Sequence, residues 1–124
     1  MREKKPHNMS EKEYEIVELL RKLEINRPVA LTLASLSSGD EITSREIEYI
    51  SNLRQPEVSI AMRYLKENDW VNIREEKKTE GKGRPVKLYR LTTPLEEIVQ
   101  TIEQRVILES RSVLENIEKL KRLA

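Results

Sequence analysis

Residues 43–65 read TSREIEYISNLRQPEVSIAMRYL, and this stretch decides the fold because it predicts two short helices joined by a tight turn. Thr43 followed by Glu46 is a capping box, in which each side chain satisfies a backbone N–H that the helix leaves unpaired. Pro56 predicts the start of the second helix, since the missing N–H of proline would be unpaired there in any case. Two helices in close succession are therefore expected.

The second of these helices has one apolar face. Its apolar residues recur at i, i+3, i+4 and i+7, which predicts that this face packs inward and that the opposite face is left outward. The inward residues are Val58, Ala61, Met62 and Leu65. The outward ones are Pro56, Ile60, Arg63 and Glu67, with Ser59 and Tyr64 beside them.

Helices are also predicted on both sides of this pair. A capping box of Ser10 and Glu13 precedes an apolar face formed by Ile16, Val17, Leu19, Leu20 and Leu23, which indicates a first helix ending near Glu24. Asn26-Arg27-Pro28 starts a second, nearly all apolar helix that Gly39 terminates. After a stop at Asn68-Asp69, residues 70–74 and 86–91 are typical of a β-hairpin. From Pro94 a helix of about 28 residues follows, about 42 Å long at 1.5 Å per residue.

This order of elements resembles the winged helix-turn-helix family of transcription regulators over roughly residues 10–92. The framework positions that carry the resemblance are Thr43, Ser44, Ile47, Leu53, Gln55, Val58, Ser59, Met62, Leu65 and Val71. Residues 53–62 look like those of archaeal regulators and, more loosely, of the archaeal ArsR, MarR and TrmB groups. The resemblance implies a mainly α fold with a small β-hairpin (α+β). The expected divisions are a flexible arm (1–9), a DNA-binding domain (10–92) and a dimerisation helix (93–124).

Composition argues against several other classes of protein. The 124 residues include no Cys and a single histidine, His7, so we expect neither metal, cofactor nor enzymatic chemistry. No apolar run approaches the roughly 18 residues of a membrane span. We therefore expect a cytoplasmic protein with no membrane partner, and nothing in the sequence indicates an effector ligand.

The charge distribution points to double-stranded DNA as the partner. Residues 54–90 hold 10 basic against 6 acidic residues, whereas the chain as a whole carries a net charge of only +1. A helix fits the major groove, where Arg63 can pair with guanine and Ile60 can touch thymine methyl groups. A wing with the sequence GKGRP at 81–85 suits the minor groove or the backbone. The expected DNA-binding residues are Ser44, Arg54, Gln55, Pro56, Ser59, Ile60, Arg63, Lys66, Lys77, Lys78, Lys82 and Arg84.

The last helix has an apolar seam that needs a covering partner, and a second copy is the simplest one. The seam consists of Leu95, Val99, Ile102, Val106, Val113, Ile117 and Leu120. Glu109 and Ser110 interrupt it, so an antiparallel or crossed helix pair is as compatible with the pattern as a coiled coil. Alternatively, the helix folds back over the first helix of its own chain.

Two further interpretations remain open. The outward face and the charged hairpin tip are also typical of surfaces that are merely solvated, above all at Lys66 and Glu67. The same fold also serves as a protein–protein interaction module in larger complexes, and the modest net charge is compatible with that role.

Overall fold

The computed structural model describes residues 8–77 and 85–124. Its elements follow in the order α1 (Glu11–Lys22), α2 (Arg27–Leu36), β1 (Ile42–Thr43), α3 (Ser44–Ser51), α4 (Gln55–Glu67), β2 (Val71–Glu76), β3 (Val86–Leu91) and α5 (Leu95–Leu123). The chain divides into two compact units, the first ending at Pro94 and the second consisting of the residues from Leu95 onward. Most of the predicted arm (1–9) lies outside the described residues, and Met9, its last residue, is buried.

The predicted helix starts are present as local hydrogen bonds. Ser10 Oγ accepts from the Glu13 N–H at 3.1 Å, and Glu13 Oε1 accepts from the Ser10 N–H at 2.9 Å. Thr43 and Glu46 form the same reciprocal pair with the same two distances. Since these bonds join residues three positions apart, short-range sequence alone specifies them.

Helix α4 begins one residue before the predicted start at Pro56. Arg54 is extended, with φ −87° and ψ 158°, and occupies the N-cap position, so Gln55 is the first helical residue and Pro56 the second. Proline is still accommodated there, because the first four N–H groups of a helix have no partner within it.

Three helix ends use left-handed residues other than glycine: Glu24, Asn52 and Asp69, with φ values of 66°, 58° and 59°. After α4, the Asp69 N–H donates to the Lys66 carbonyl at 3.0 Å and the Trp70 N–H to the Leu65 carbonyl at 2.9 Å. This pair of bonds is a Schellman motif, which satisfies carbonyl groups left unpaired at a helix end. The predicted stop at Asn68-Asp69 is therefore confirmed.

The sheet has three antiparallel strands in the order β1-β3-β2, where the sequence predicts a hairpin alone. The additional strand, β1, pairs Ile42 with Tyr89 and Thr43 with Leu88. Two residues are too few to show alternation, so this strand has no signal of its own. Strand β2 runs from Val71 to Glu76, two residues beyond the predicted end at Arg74, because its pairing with β3 continues to Val86.

The core of the first unit is built around α2. Every residue from Val29 to Leu36 is buried, and α2 packs against α1, α3 and α4. The predicted apolar face of α1 is only partly used: Leu20 is 4% exposed, whereas Leu19 and Leu23 are 53% and 43% exposed. The other two residues of the predicted face, Ile16 and Val17, are half-buried.

Helix α5 forms the second unit, and its 29 residues span about 43 Å. Ile98 and Ile102 are buried, whereas every residue from Ile107 to Ala124 is exposed. Among the described residues, the structure contains no helix with the length and apolarity needed to cross a membrane.

Candidate nucleic-acid interface

Helix α4 presents the outward face that the sequence predicts. Val58, Ala61 and Leu65 are at most 2% exposed and hold the helix against the core. Ser59 and Arg63 are exposed on the other side, and between them Ile60 is 56% exposed. Ile60 is the one branched aliphatic side chain among the exposed residues of α4.

The turn between α3 and α4 is fixed at three points. Asn52 is left-handed, which reverses the chain at the end of α3. Leu53 is 4% exposed, and its N–H donates to Ser51 Oγ at 3.2 Å. The Arg54 N–H then donates to Glu57 Oε1 at 3.1 Å, which satisfies a donor beside the start of α4. Together these contacts set the direction in which α4 leaves the core.

Glu57 also connects α4 to the preceding helices. Its Oε2 lies 3.9 Å from Arg27 Nη1 at the start of α2. Both side chains are about half exposed, so this ion pair contributes little stability.

Gln55 and Ser59 are joined on the exposed surface of α4. Gln55 Nε2 donates to Ser59 Oγ at 2.9 Å, one helical turn apart. The bond reduces the rotamer freedom of both side chains before any partner arrives, and this lowers the entropy that binding must remove.

Two open grooves run along the side of α4 that faces β3, and both are lined by Ser59, Met62, Lys87 and Tyr89. The larger, of about 790 Å³, is lined by residues of α3, α4 and β3 that include Ser44, Arg45, Gln55 and Lys87. The smaller, of about 380 Å³, lies between α4 and the sheet, where Arg63, Lys66 and Lys87 line it. Cationic side chains thus line the side of α4 that faces β3, an arrangement suited to a polyanion.

Arg45 and Lys87 are candidate binding residues that the sequence analysis missed. Arg45 sits in the first turn of α3, and its position beside α4 depends on how the two helices pack. Lys87 shares a groove with Tyr89 two residues further along β3, as the alternation of a strand requires. The alternation along β3 is visible in the sequence and groups Lys87 with Tyr89. The sequence does not show which face of β3 meets α4, because that depends on how the elements pack.

The base of the wing is held by an arginine between two carboxylates. Arg74 on β2 contacts Glu41, just before β1, through Nη2 to Oε1 at 2.6 Å and Nε to Oε2 at 3.0 Å. Its Nη1 also donates to Glu76 at 3.1 Å. Hydrogen bonding from Arg74 lowers the pKa of Glu41, while Glu41 and then Glu76 raise the pKa of Arg74.

Most of the predicted DNA-binding residues share the surface around α4. Ser44 is half-buried and lines the larger groove. The exposed ones are Arg54, Gln55, Pro56, Ser59, Ile60, Arg63, Lys66 and, after β2, Lys77. Lys78, Lys82 and Arg84 lie outside the described residues. Within residues 8–77 and 85–124, no group of three or more His, Asp or Glu side chains is placed to hold a metal ion.

The predicted seam on α5 is exposed along most of its length. Leu95 and Val106 are half-buried, and Ile102 is only 3% exposed, so it has little area left for a partner. The other seam residues are exposed by 42 to 67%: Val99, Val113, Ile117 and Leu120. Four further apolar residues of the helix lie outside the predicted seam and are exposed: Ile107, Leu108, Leu114 and Leu123.

Comparison with solved structures places this architecture among known folds. A possible transcriptional regulator from Methanosarcina mazei Go1 superposes with a TM-score of 0.59 at 15% identity, covering 86% of each chain. The archaeal chromatin protein TrmBL2 gives a TM-score of 0.52 at 24% identity over 90% of this chain and 42% of its own. NMB1585, a MarR family regulator from Neisseria meningitidis, gives 0.51 at 16% identity, covering 89% of this chain and 83% of its own.

No protein-family model matches this sequence, and no curated protein matches it. At 15 to 24% identity, the structural likenesses show a shared fold. The parts of that fold described above are the buried helix α2, the α3–turn–α4 pair and the β2–β3 hairpin that follows the pair in sequence. The chain therefore has the winged helix-turn-helix fold, followed by a long C-terminal helix.

Proposed function

We propose that this chain binds double-stranded DNA as a homodimer and regulates transcription, with α4 in the major groove. The observation that carries the proposal is the exposed face of α4, on which Ser59, Ile60 and Arg63 point away from the buried Val58 and Leu65. A helix held by one face is the element that fits the major groove of B-DNA.

Each exposed side chain has a matching chemical group in DNA. The Arg63 guanidinium can pair with O6 and N7 of guanine, and Ile60 can contact the methyl group of thymine. Arg45, Lys66 and Lys87 border the helix and suit phosphates on either side of the groove. The archaeal chromatin protein TrmBL2, which shares the fold, also binds DNA.

The wing adds a second contact in this proposal. Lys77 follows β2 and is exposed, and the predicted Lys78, Lys82 and Arg84 continue from it in sequence. Cations carried beside a recognition helix suit the minor groove or the backbone, where an arginine meets an enhanced negative potential.

A binding measurement tests this proposal. Duplexes with a randomised centre are selected on the protein, and the affinity of the selected duplex is measured by fluorescence anisotropy. We expect Arg63→Ala to weaken binding about 5- to 150-fold, as expected for a base contact of about 1 to 3 kcal/mol. Arg21→Ala, which removes an exposed arginine at the end of α1, is the matched control and leaves the affinity unchanged.

Salt dependence gives an independent test of the same proposal. With roughly 6 to 10 phosphate contacts per dimer, the affinity falls about 10³- to 10⁵-fold between 50 and 200 mM salt. If no duplex is enriched and the affinity does not change with salt, the DNA-binding proposal is wrong. In that case the exposed Ile60 makes a protein-interaction module the better interpretation.

The homodimer is supported by the exposed seam of α5. Leu120 is 67% exposed, and a mass of twice 14.6 kDa is expected in sedimentation equilibrium. Leu120→Glu shifts the mass toward the monomer, because it places a charge within the interface. Leu108→Glu is the control, since Leu108 is 61% exposed but lies on the opposite side of the helix. A wild-type mass of 14.6 kDa would rule out the homodimer.

A further inference from the structure

We infer that two copies of this chain pair their α5 helices in antiparallel orientation about a two-fold axis between Glu109 and Ser110. The inference rests on the proposed homodimer and adds to it the relative orientation of the two α5 helices. It starts from a stripe of apolar side chains along one side of α5, of which Val99, Val113, Ile117 and Leu120 are exposed and Val106 is half-buried. At 100° per residue, Val99, Val106, Val113, Ile117 and Leu120 lie within about 40° of a single line along the helix.

This stripe is symmetric about its own midpoint. Val99 and Leu120 are equally far in sequence from the point between Glu109 and Ser110, and so are Val106 and Val113. Pairing two helices antiparallel about that point sets Val99 opposite Leu120 and Val106 opposite Val113, whereas Ile117 falls opposite Ile102, which is already buried in its own chain. Glu109 and Ser110, which interrupt the stripe, then lie at the axis, with Glu109 of each copy opposite Ser110 of the other.

Exposed apolar residues beside the stripe widen the same surface. Ile107 and Leu114, 39% and 62% exposed, lie on one flank of it. In an antiparallel pair this flank of one helix lies on the same side as this flank of the other, so Ile107 and Leu114 of both copies lie at one edge of the interface.

Charge decides between antiparallel and parallel pairing, because a parallel in-register pair would also match apolar residues. Residues 95–104 of α5 carry three acidic and no basic residues, and residues 119–123 carry three basic and no acidic ones. Of these, Glu96 and Glu103 at the start and Lys121 at the end lie beside the stripe, whereas Glu97, Lys119 and Arg122 lie on the far side of the helix. A parallel pair would set like charges side by side at both ends. An antiparallel pair sets the acidic end of each helix beside the basic end of the other, which favours that orientation.

Antiparallel pairing also separates the two DNA-binding units along the chain. Each first unit ends at Pro94, directly before α5. The two helix starts are therefore about 43 Å apart along the pair, against about 10 Å across a parallel pair. The orientation of α5 thus sets the distance between the two points at which the DNA-binding units are attached.

Disulfide cross-linking tests the orientation, and the absence of native cysteine makes single substitutions unambiguous. Two cysteines link only when their Cα atoms lie within about 7 Å. We expect Val99→Cys mixed with Leu120→Cys to give a linked dimer containing one chain of each, identified by its mass. Leu120→Cys alone gives none, because antiparallel pairing holds the two copies of residue 120 about 31 Å apart along the axis.

Sedimentation of the reduced variants shows first that each is still a dimer. Linked dimers from Leu120→Cys alone, with none of mixed composition, would overturn the antiparallel inference in favour of a parallel pair and leave the homodimer standing. Dimeric variants that link in no combination would overturn it in favour of another interface. The cross-linking experiment contains no DNA and tests only the orientation of α5. DNA binding is tested separately, by the anisotropy measurement with the selected duplex, so the two proposals can fail independently.

Discussion

Arg74 holds Glu41 in a two-pronged contact, with nitrogen–oxygen distances of 2.6 and 3.0 Å, across 33 residues of sequence. The contact joins the segment before β1 to strand β2, at the base of the wing. It also gives the carboxyl group a lowered pKa, since the hydrogen bonds from Arg74 favour its charged form.

This contact predicts a specific acid dependence. Because the pKa of Glu41 is lower in the folded chain than in the unfolded one, its stabilising effect is complete above the unfolded value of about 4.3 and is lost as the pH falls through the folded value. Glu41→Gln should therefore lower the free energy of unfolding at pH 7 and reduce its fall toward acid pH. Urea titrations at several pH values measure this.

Glu75→Gln on the neighbouring position of β2 is the control, because it removes an exposed carboxylate without touching the contact. If both variants lost stability with acid in the same way as the wild type, the contact with Arg74 would have no role in the acid dependence.

Lys87→Ala should separate phosphate contacts from base contacts. Since Lys87 lines both grooves beside α4, we expect its loss to weaken binding of all duplexes to a similar degree and to reduce the salt slope by about one unit. Arg63→Ala, in contrast, should alter sequence preference. Anisotropy titrations with the selected and a scrambled duplex at several salt concentrations distinguish the two. An unchanged slope for Lys87→Ala would place Lys87 outside the interface.

Leu65→Ala and Ile60→Ala form a matched pair on α4. Leu65 is completely buried, so its truncation leaves a cavity and should cost about 2 to 5 kcal/mol of unfolding free energy. Ile60 is 56% exposed, so the same truncation should change stability by less than about 0.5 kcal/mol yet weaken DNA binding. Chemical denaturation and anisotropy measure the two effects. Equal stability losses for both variants would mean that Ile60 is packed in the folded chain.

Glu24→Gly should stabilise the protein. Glu24 adopts φ 66° at the end of α1, a region that costs residues with a Cβ roughly 1 to 2 kcal/mol. Glycine removes that cost and adds a smaller entropic one, so a net gain of up to about 1 kcal/mol is expected. Glu24→Val is the opposing control and should be destabilising. Thermal unfolding of both variants measures the difference, and a loss of stability with glycine would contradict the expected backbone preference.

Several features of the fold follow from short-range sequence. The helix starts at Ser10 and Thr43 depend on bonds between residues three apart, and the two faces of α4 depend on the spacing of Val58, Ala61 and Leu65. The left-handed stop at Asp69 likewise depends on the residue itself and its neighbours. Such features can be predicted from the sequence because the interacting groups are close along the chain.

Long-range packing decided the rest. Strand β1 exists because Ile42 pairs with Tyr89, and Arg45 and Lys87 lie beside α4 because α3 and β3 line the same groove along it. Leu19 is exposed although it belongs to the apolar pattern of α1, because the pattern does not say which of its residues a neighbouring helix covers. Sequence by itself therefore determined which residues form the helices and which face of α4 turns outward, because periodicity and capping are local. Only the tertiary structure decided which cations border that face, because their neighbours lie tens of residues away and periodicity carries no information about such pairs.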